Sequence, residues 1–380
     1  MQILAYPVIL DLRDMTFLER LKRILLELPN KVKIGEQYVG PGEPVFVIAE
    51  VGINHNGEVE IAKRLIDAAQ GAGADAVKFQ KRTTEEILTK EGLEKPYVSP
   101  NAFAPTYGEH RKKLEFNEDQ YRELKAYADG KGVLFFASVW DPKSADFMEA
   151  FGIDAYKIPS ADVINIPLLE YVAKKNKPVL LSTGMSTTGE IDDAVHAILR
   201  HNSRLILFHC VSLYPCPDEK LNINFMNVLV DRFRPLPVGY SGHEVGLLPS
   251  LTAVAMGAVI VERHLTLDKT MKGSDHAASL EPREFSELVR VIRAIEKIKG
   301  IGRKIMYDEL LPLREKLAKS IASKVAIPVG TVMTREMLTV KGPGTGIKPS
   351  RIGDIVGRIA KTRIEADAII PPEALNWPWS

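Results

Sequence analysis

The sequence predicts an α/β protein, a (β/α)8 TIM barrel followed by a small C-terminal domain. Three observations predict it. Eight short runs of β-branched, aromatic and aliphatic residues recur between residues 45 and 265. Most are apolar throughout rather than alternating, as parallel strands buried on both faces are. Helical patterns separate them, and beyond about residue 320 the chain changes to short β runs broken by Gly and Pro.

In chain order the strand runs are "VFVIAEVG", "DAVKFQKR", "VLFFASVW", "DAYKIPSA", "PVLLSTGM", "LILFHCVS", "LPVGYSG" and "AVIVERHL". "EVEIAKRLIDAAQGAG" repeats Ile61, Leu65 and Ala68 at helical spacing, with Gly71 and Gly73 placed to stop the helix. "NEDQYRELKAYADGKG", "TGEIDDAVHAILRHN" and, after the eighth run, "EPREFSELVRVIRAIEKIKG" are further helices. Eight strand–helix units over roughly 250 residues are the footprint of a (β/α)8 barrel. An open doubly wound sheet gives no reason for the count to stop at eight. The expected organisation is an extension over 1–38, the barrel over 39–300, a linker over 301–319 and the small domain over 320–380.

The 380 residues carry a formal net charge of +1, so charge makes no case for nucleic acid or an anionic membrane as partner. Two cysteines, Cys210 and Cys216, are too few for a disulfide scaffold and suggest a reducing cytoplasm. The apolar start "MQILAYPVIL" lacks a basic region and reads as a poor signal peptide. The longest largely apolar stretch, 247–261, is short for a membrane span. In the extension, Phe17, Leu18, Leu21, Ile24, Leu25 and Leu28 form an amphipathic helical stripe, read as packing or dimer contact.

Polar residues collect near the ends of the strand runs: Glu50, Lys78, Gln80, Ser138, Lys157, Ser160, Ser182, Ser212, Ser241, His243 and His264. In a barrel those ends converge on the face where active sites are built. Any one serine could be a helix N-cap, and a lone lysine is usually a solvated charge. The set points elsewhere. Lysines inside "AVKFQ" and "AYKIP" are costly to bury without an anionic partner, so a bound anion is expected at this face. His243 follows the seventh strand and His264 ends the eighth, which brings two imidazoles above adjacent strands. Neutral imidazoles with open coordination positions suit Mn²⁺, Zn²⁺ or Fe²⁺, and a hydrogen-bonded core pair is the other reading.

At these residues the chain resembles the sialic acid synthase family. "FVIAEVGINHNGEVEIAKRLIDAAQGAGADAVKFQK", "AYKIPSADVINIPLLEYVAKKNKPVLLSTGM", "HCVSLYPCP" and "GYSGHEVG…VERHLTLDKTMKGSDHAASLEP" carry the resemblance from about residue 40 to the C-terminus. "TYGEHRKKLEF" looks most like the animal-type 9-phosphate synthases. The resemblance implies condensation of phosphoenolpyruvate with N-acetylmannosamine or its 6-phosphate, giving a nine-carbon 2-keto sugar acid and inorganic phosphate. It implies a divalent metal, Mn²⁺ or Mg²⁺, on His243 and His264, and Glu50 as catalytic acid or base. By the same resemblance Lys78, Lys157, Ser138, Ser160, Ser182, Ser212 and Ser241 line the phosphoenolpyruvate site. Gln80, Tyr214 and Asp275 fall at sugar-contacting positions.

Departures from the family pattern matter too. "KIPSAD" stands where many bacterial members have "GSGE" after the lysine, which leaves Asp162 as a shorter carboxylate for the sugar. Ser212 replaces an Asn. The C-terminal segment resembles the antifreeze-like (SAF) domain, which in the family caps the partner's barrel in a domain-swapped homodimer. Gly342 stands where many bacterial enzymes place an arginine on the N-acetyl group, with Lys341, Lys348 and Arg351 as substitutes. The glycines of "GPGTGI" lack the strand–loop–helix setting of a nucleotide site. The long connection 83–117 is expected to be a lid, with Arg111, Lys112 and Lys113 binding the sugar phosphate. Rival readings are synthases of legionaminic, pseudaminic or Kdn-type acids, a Schiff-base aldolase using Lys78 or Lys157, and a non-catalytic scaffold.

Overall fold

A computed structural model describes residues 28–375. A two-stranded antiparallel hairpin, β1 (Val32–Ile34) and β2 (Gln37–Val39), opens it. Then come the eight barrel strands: β3 (Phe46–Gly52), β4 (Ala76–Lys81), β5 (Leu134–Val139), β6 (Tyr156–Ile158), β7 (Val179–Ser182), β8 (Leu205–Cys210), β9 (Val238–Gly242) and β10 (Ile260–His264). They lie side by side in sequence order, and β10 closes the barrel by pairing in parallel with β3. The strands are continuous apolar runs because both faces are covered, one by the barrel interior and the other by helices.

The helices obey their sequence signals. The first spans Val59–Ala72, running through Gly71 and stopping at Gly73, whose left-handed φ of 82° suits a residue without Cβ. Asn117 and Gln120 form a reciprocal capping box that starts Glu118–Gly130, and Thr187 and Glu190 do the same for Thr188–Leu199. This first helix lays a buried stripe of Leu65, Ile66 and Ala69 on the barrel, worth about 1.5–3 kcal/mol per large aliphatic side chain.

Two of the expected segments carry structure of their own. Val32, Ile34 and Val39 of the hairpin are buried in the same apolar core as the barrel, so residues 32–38 belong to the barrel unit and not to an extension. The hairpin sits at the N-terminal ends of the strands, with Gly35 against Leu134 at the start of β5. The chain divides between Gly300 and Ile301, so the expected linker belongs to the second compact unit and carries a helix, Leu311–Leu317. That unit pairs β11 (Ser320–Ser323) with β12 (Leu338–Lys341) over a core of Ile321, Ile327, Met333, Leu338, Ile355, Ile364 and Ile370. Of the apolar stripe in the extension, only Leu28 falls within the described residues, where it packs on the barrel core. No described helix is long and apolar enough to cross a membrane.

Candidate active site

Strand register assembles the site at the C-terminal ends of the barrel strands. Glu50 on β3 pairs with Lys78 on β4 and with His264 on β10. Gln80 lies opposite Ser138, Ser138 opposite Lys157, and Ser241 opposite Glu262. Successive side chains on a strand point to opposite faces, so Glu262 and His264 reach inward while Arg263 turns outward. There Arg263 is held by Glu244 at 2.7 Å. A bulge between Glu50 and Gly52 shifts the β3 register. Gly52 has φ 56°, and a Cβ there would stand 3.2 Å from Glu50 Oε1 and 3.3 Å from Gln80 Nε2, so a larger residue would crowd the carboxylate.

The interior holds two buried ion pairs. Lys78 Nζ lies 2.7 Å from Glu50 Oε2 and donates to Ser138 Oγ at 2.5 Å. Lys157 Nζ donates to both oxygens of Glu262 at 2.9 Å, and Ser241 Oγ donates to Glu262 at 3.2 Å. Sequence reasoning asked what anion offsets the two lysines; Glu50 and Glu262 supply that charge from the protein itself. Glu262 was missed, although the same signal was present: a charge inside the apolar run "VIVERHL". Burial raises the Glu50 carboxyl to about 7, with Lys78 pulling it down and Glu262 pushing it up. Burial opposes charge on Glu262 as well, but Lys157 and Lys78 outweigh it and hold it at about 2. The two carboxyls thus sit in opposite electrostatic settings, one raised and one lowered.

Above them sit the imidazoles of His243 and His264, ring centroids 5.4 Å apart. Burial pushes His243 down to about 3, helped by His264, and burial pushes His264 to about 4. Both are neutral at pH 7. His243 Nδ1 lies 2.9 Å from the Val211 carbonyl, which can only accept, so the proton is on Nδ1 and the lone pair on Nε2. His264 Nδ1 is buried without a hydrogen bond, and Asp275 Oδ2 stands 3.8 Å away. Two neutral imidazoles, one with an unpartnered nitrogen, are a donor set that fits a divalent first-row ion. Among the described residues no cluster of three or more His, Cys, Asp or Glu is placed to hold a metal ion. The Tyr214 ring packs on His243, centroids 4.0 Å apart.

One cavity of ≈ 240 Å³, open at its mouth, joins these groups. Glu50, Lys78, Gln80, Ser138, Lys157, Ser160, Ser182, Ser212, Tyr214, Ser241, His243, His264 and Asp275 all line it. Ser182 Oγ is buried without a partner, and the Gly184 N–H donates to Ser160 Oγ at 2.9 Å. A Cβ on Gly184 would fall 2.5 Å from Ser212 Oγ and 2.9 Å from Ser160 Oγ, so this glycine keeps the serine floor open.

Other expected site residues lie elsewhere. Asp162 does not line the cavity; the chain turns into a short 3-10 helix at Ser160–Asp162, where Asn165 donates to the carboxylate at 2.9 Å. The 83–117 connection is folded into three short helices rather than a bare loop. Of its basic cluster only Arg111 lines the cavity, and Lys112 pairs with Glu85 at 2.6 Å. Arg82 and Trp140, which sequence reasoning passed over, line it instead. Lys341 and Arg351 pair with Asp367 and Asp354 within the C-terminal unit.

Comparison with known proteins agrees with this architecture. The family model described as the NeuB family matches residues 65–304, and the SAF domain model matches 318–376. The chain is 41% identical over 341 residues to human N-acetylneuraminate-9-phosphate synthase, covering 90% of this chain and 95% of that protein. It is 38% identical over 324 residues to the N,N'-diacetyllegionaminic acid synthase of Legionella pneumophila, covering 84% and 91%. Among solved structures, the N-acetylneuraminic acid (sialic acid) synthetase of Leptospira borgpetersenii in complex with citrate has a TM-score of 0.67 at 34% identity, over 74% of this chain and 94% of that one. With these matches spanning barrel and C-terminal domain alike, the chain belongs to the NeuB family.

Proposed function

We propose that the chain condenses phosphoenolpyruvate with N-acetylmannosamine or its 6-phosphate, forming N-acetylneuraminate or its 9-phosphate and releasing inorganic phosphate. The observation that carries this reading is the pairing of Glu50–Lys78 and Lys157–Glu262 beneath two neutral histidines. Relatives named as synthases of such acids support it over most of the chain.

The chemistry asks three things of the residues. Carbon 3 of phosphoenolpyruvate attacks the open-chain aldehyde of the sugar; water then adds at carbon 2, and the bond from carbon 2 to the bridging oxygen breaks to release phosphate. First, an anionic substrate must be held beside lysines already paired with carboxylates. Fixed hydroxyl dipoles from Ser160, Ser182 and Ser212 supply donors without reorganising. Second, the aldehyde oxygen gains a proton as it becomes a hydroxyl. Glu50, with its carboxyl near 7, delivers that proton, and Gln80 Nε2 fixes its orientation at 3.0 Å. Third, the aldehyde must be polarised. A bound Mn²⁺ or Mg²⁺ supplies Lewis acidity, and His243 and His264 are the residues to hold it.

The reading extends to a cytoplasmic homodimer in which the SAF domain serves the partner's barrel. Free thiols at Cys210 and Cys216 agree with a reducing compartment. Exposed Ile305, Leu310, Leu313 and Leu317 offer an apolar surface for a second chain. Phosphoenolpyruvate labelled with ¹⁸O at the bridging position tests the reaction. Labelled phosphate together with a nine-carbon 2-keto acid is the expected result; unlabelled phosphate contradicts the C–O cleavage.

A further inference from the structure

The cavity wall carries a second set of donors that the condensation leaves unused. Arg82 follows β4 directly and is only 2% exposed, yet its Nε and Nη1 make no hydrogen bond. Its guanidinium lies over the Trp140 ring, 4.8 Å from the centroid, and Trp140 Nε1 is likewise buried without an acceptor. Arg111 spends Nε and Nη2 on the single neutral hydroxyl of Tyr107, at 2.9 and 2.7 Å. Burial depresses the Arg82 pKa and Arg111 depresses it further, so the two guanidiniums sit close enough to repel. The facing carboxylate, Glu115, is divided between Lys81 at 3.4 Å and Arg82 at 3.6 Å. Asp275 is the next carboxylate along, and burial opposes its charge while His264, Ser274 and Arg111 hold it ionised.

Buried N–H donors without acceptors are costly, more so on a charged group. Lys81 and Arg82 share the single carboxylate of Glu115 while Arg111 forms no ion pair among the described residues, so a phosphate monoester carrying nearly two negative charges offsets the surplus. Its oxygens also match the guanidinium fork better than a neutral phenol does. Gln80 connects this wall to the reacting end: its Nε2 donates to Glu50, and its Oε1 accepts from Arg82 Nη2.

We propose that Arg82, Arg111 and Trp140 seat a phosphate monoester borne by the sugar acceptor, at the end remote from its aldehyde. The sugar's identity rests on the synthase reading above; the phosphate seat stands on the donors themselves. The same donors could instead take the phosphate of phosphoenolpyruvate, and the test separates the two sources.

Three proteins are compared: the wild type, Arg111→Gln, and Trp140→Phe, which removes the indole N–H and keeps an aromatic face. In phosphate-release assays with Mn²⁺, the ratio of kcat/KM for N-acetylmannosamine 6-phosphate over the free sugar should exceed one for the wild type. It should fall about tenfold or more in Arg111→Gln and severalfold in Trp140→Phe. An unmoved ratio, or a rise in KM for phosphoenolpyruvate as large as that for the sugar phosphate, overturns the proposal. Calorimetric binding of mannose 6-phosphate against mannose makes the outcome independent of turnover. Preference for the phosphorylated sugar, lost in Arg111→Gln, supports the seat even if no condensation occurs. Equal binding of both sugars overturns it, whether or not the synthase reading survives.

Discussion

Lys157 and Glu262 meet across the barrel interior, the lysine Nζ 2.9 Å from both carboxylate oxygens and neither side chain more than 6% exposed. With Lys78 and Glu50 beside them, four ionisable groups are held out of water in one cluster. Such a pair is weak evidence for stability, because a well-packed apolar pair can serve as well. Breaking it from one side is another matter.

Glu262→Gln should therefore destabilise the barrel by about 3–5 kcal/mol, since Lys157 keeps a buried charge with no anion to match it. Lys157→Met combined with Glu262→Leu should cost much less than the sum of the single changes. Denaturant unfolding of the wild type, Lys157→Met, Glu262→Leu and the double variant reads the coupling. Simple additivity would show that the two side chains do not act as a pair.

The Glu50 carboxyl, raised to about 7 by burial, predicts the pH profile. Its protonated form delivers the proton, so kcat/KM should fall as pH rises through about 7. Glu50→Gln should lose that limb along with roughly 10²–10⁴-fold of kcat. The stability linkage has the same direction. The folded state binds this proton more tightly, so the contribution is full below the ordinary value of 4.5 and is lost as pH rises through about 7. A profile in Glu50→Gln identical to that of the wild type would remove Glu50 from the proton step.

His243→Gln and His264→Gln should each weaken Mn²⁺ binding at least about tenfold, read by the free-ion signal in electron paramagnetic resonance. A chelator should abolish turnover and added Mn²⁺ restore it. Wild-type affinity in both variants would leave the imidazoles as a core pair.

Gly184→Ala probes the serine floor. The added Cβ cannot fit 2.5 Å from Ser212 Oγ, so the serines must shift. KM for phosphoenolpyruvate should rise about tenfold or more with circular dichroism unchanged. A rise confined to the sugar would place the phosphoenolpyruvate site elsewhere.

The strands were legible because parallel barrel strands are apolar on both faces, and the strand-end residues were legible because barrel topology gathers them on one face. What the sequence concealed has physical causes. Glu262 and Arg263 are adjacent charges that look alike in sequence, yet strand alternation sends one into the cavity and the other out to Glu244. Arg111 and Lys112 sit one residue apart on a helix, about 100° around its axis, so only one can face the cavity. Arg82 was hidden because a basic residue after a strand normally reads as solvated; its burial comes from Trp140 and Glu115, which are distant in sequence. Asp162 was expected by position in the motif, and the 3-10 turn carried it aside. The β1–β2 hairpin is only three residues per strand, too short for periodicity to signal.

The most direct measurement is phosphate release from phosphoenolpyruvate in Mn²⁺ or Mg²⁺ with N-acetylmannosamine, its 6-phosphate or mannose 6-phosphate, each with and without chelator. Chelator-sensitive release that depends on one of the N-acetylmannosamine acceptors is the predicted result. No release with any of the three sugars would contradict the N-acetylmannosamine assignment and point to diacetamido sugars such as those leading to legionaminic-type acids.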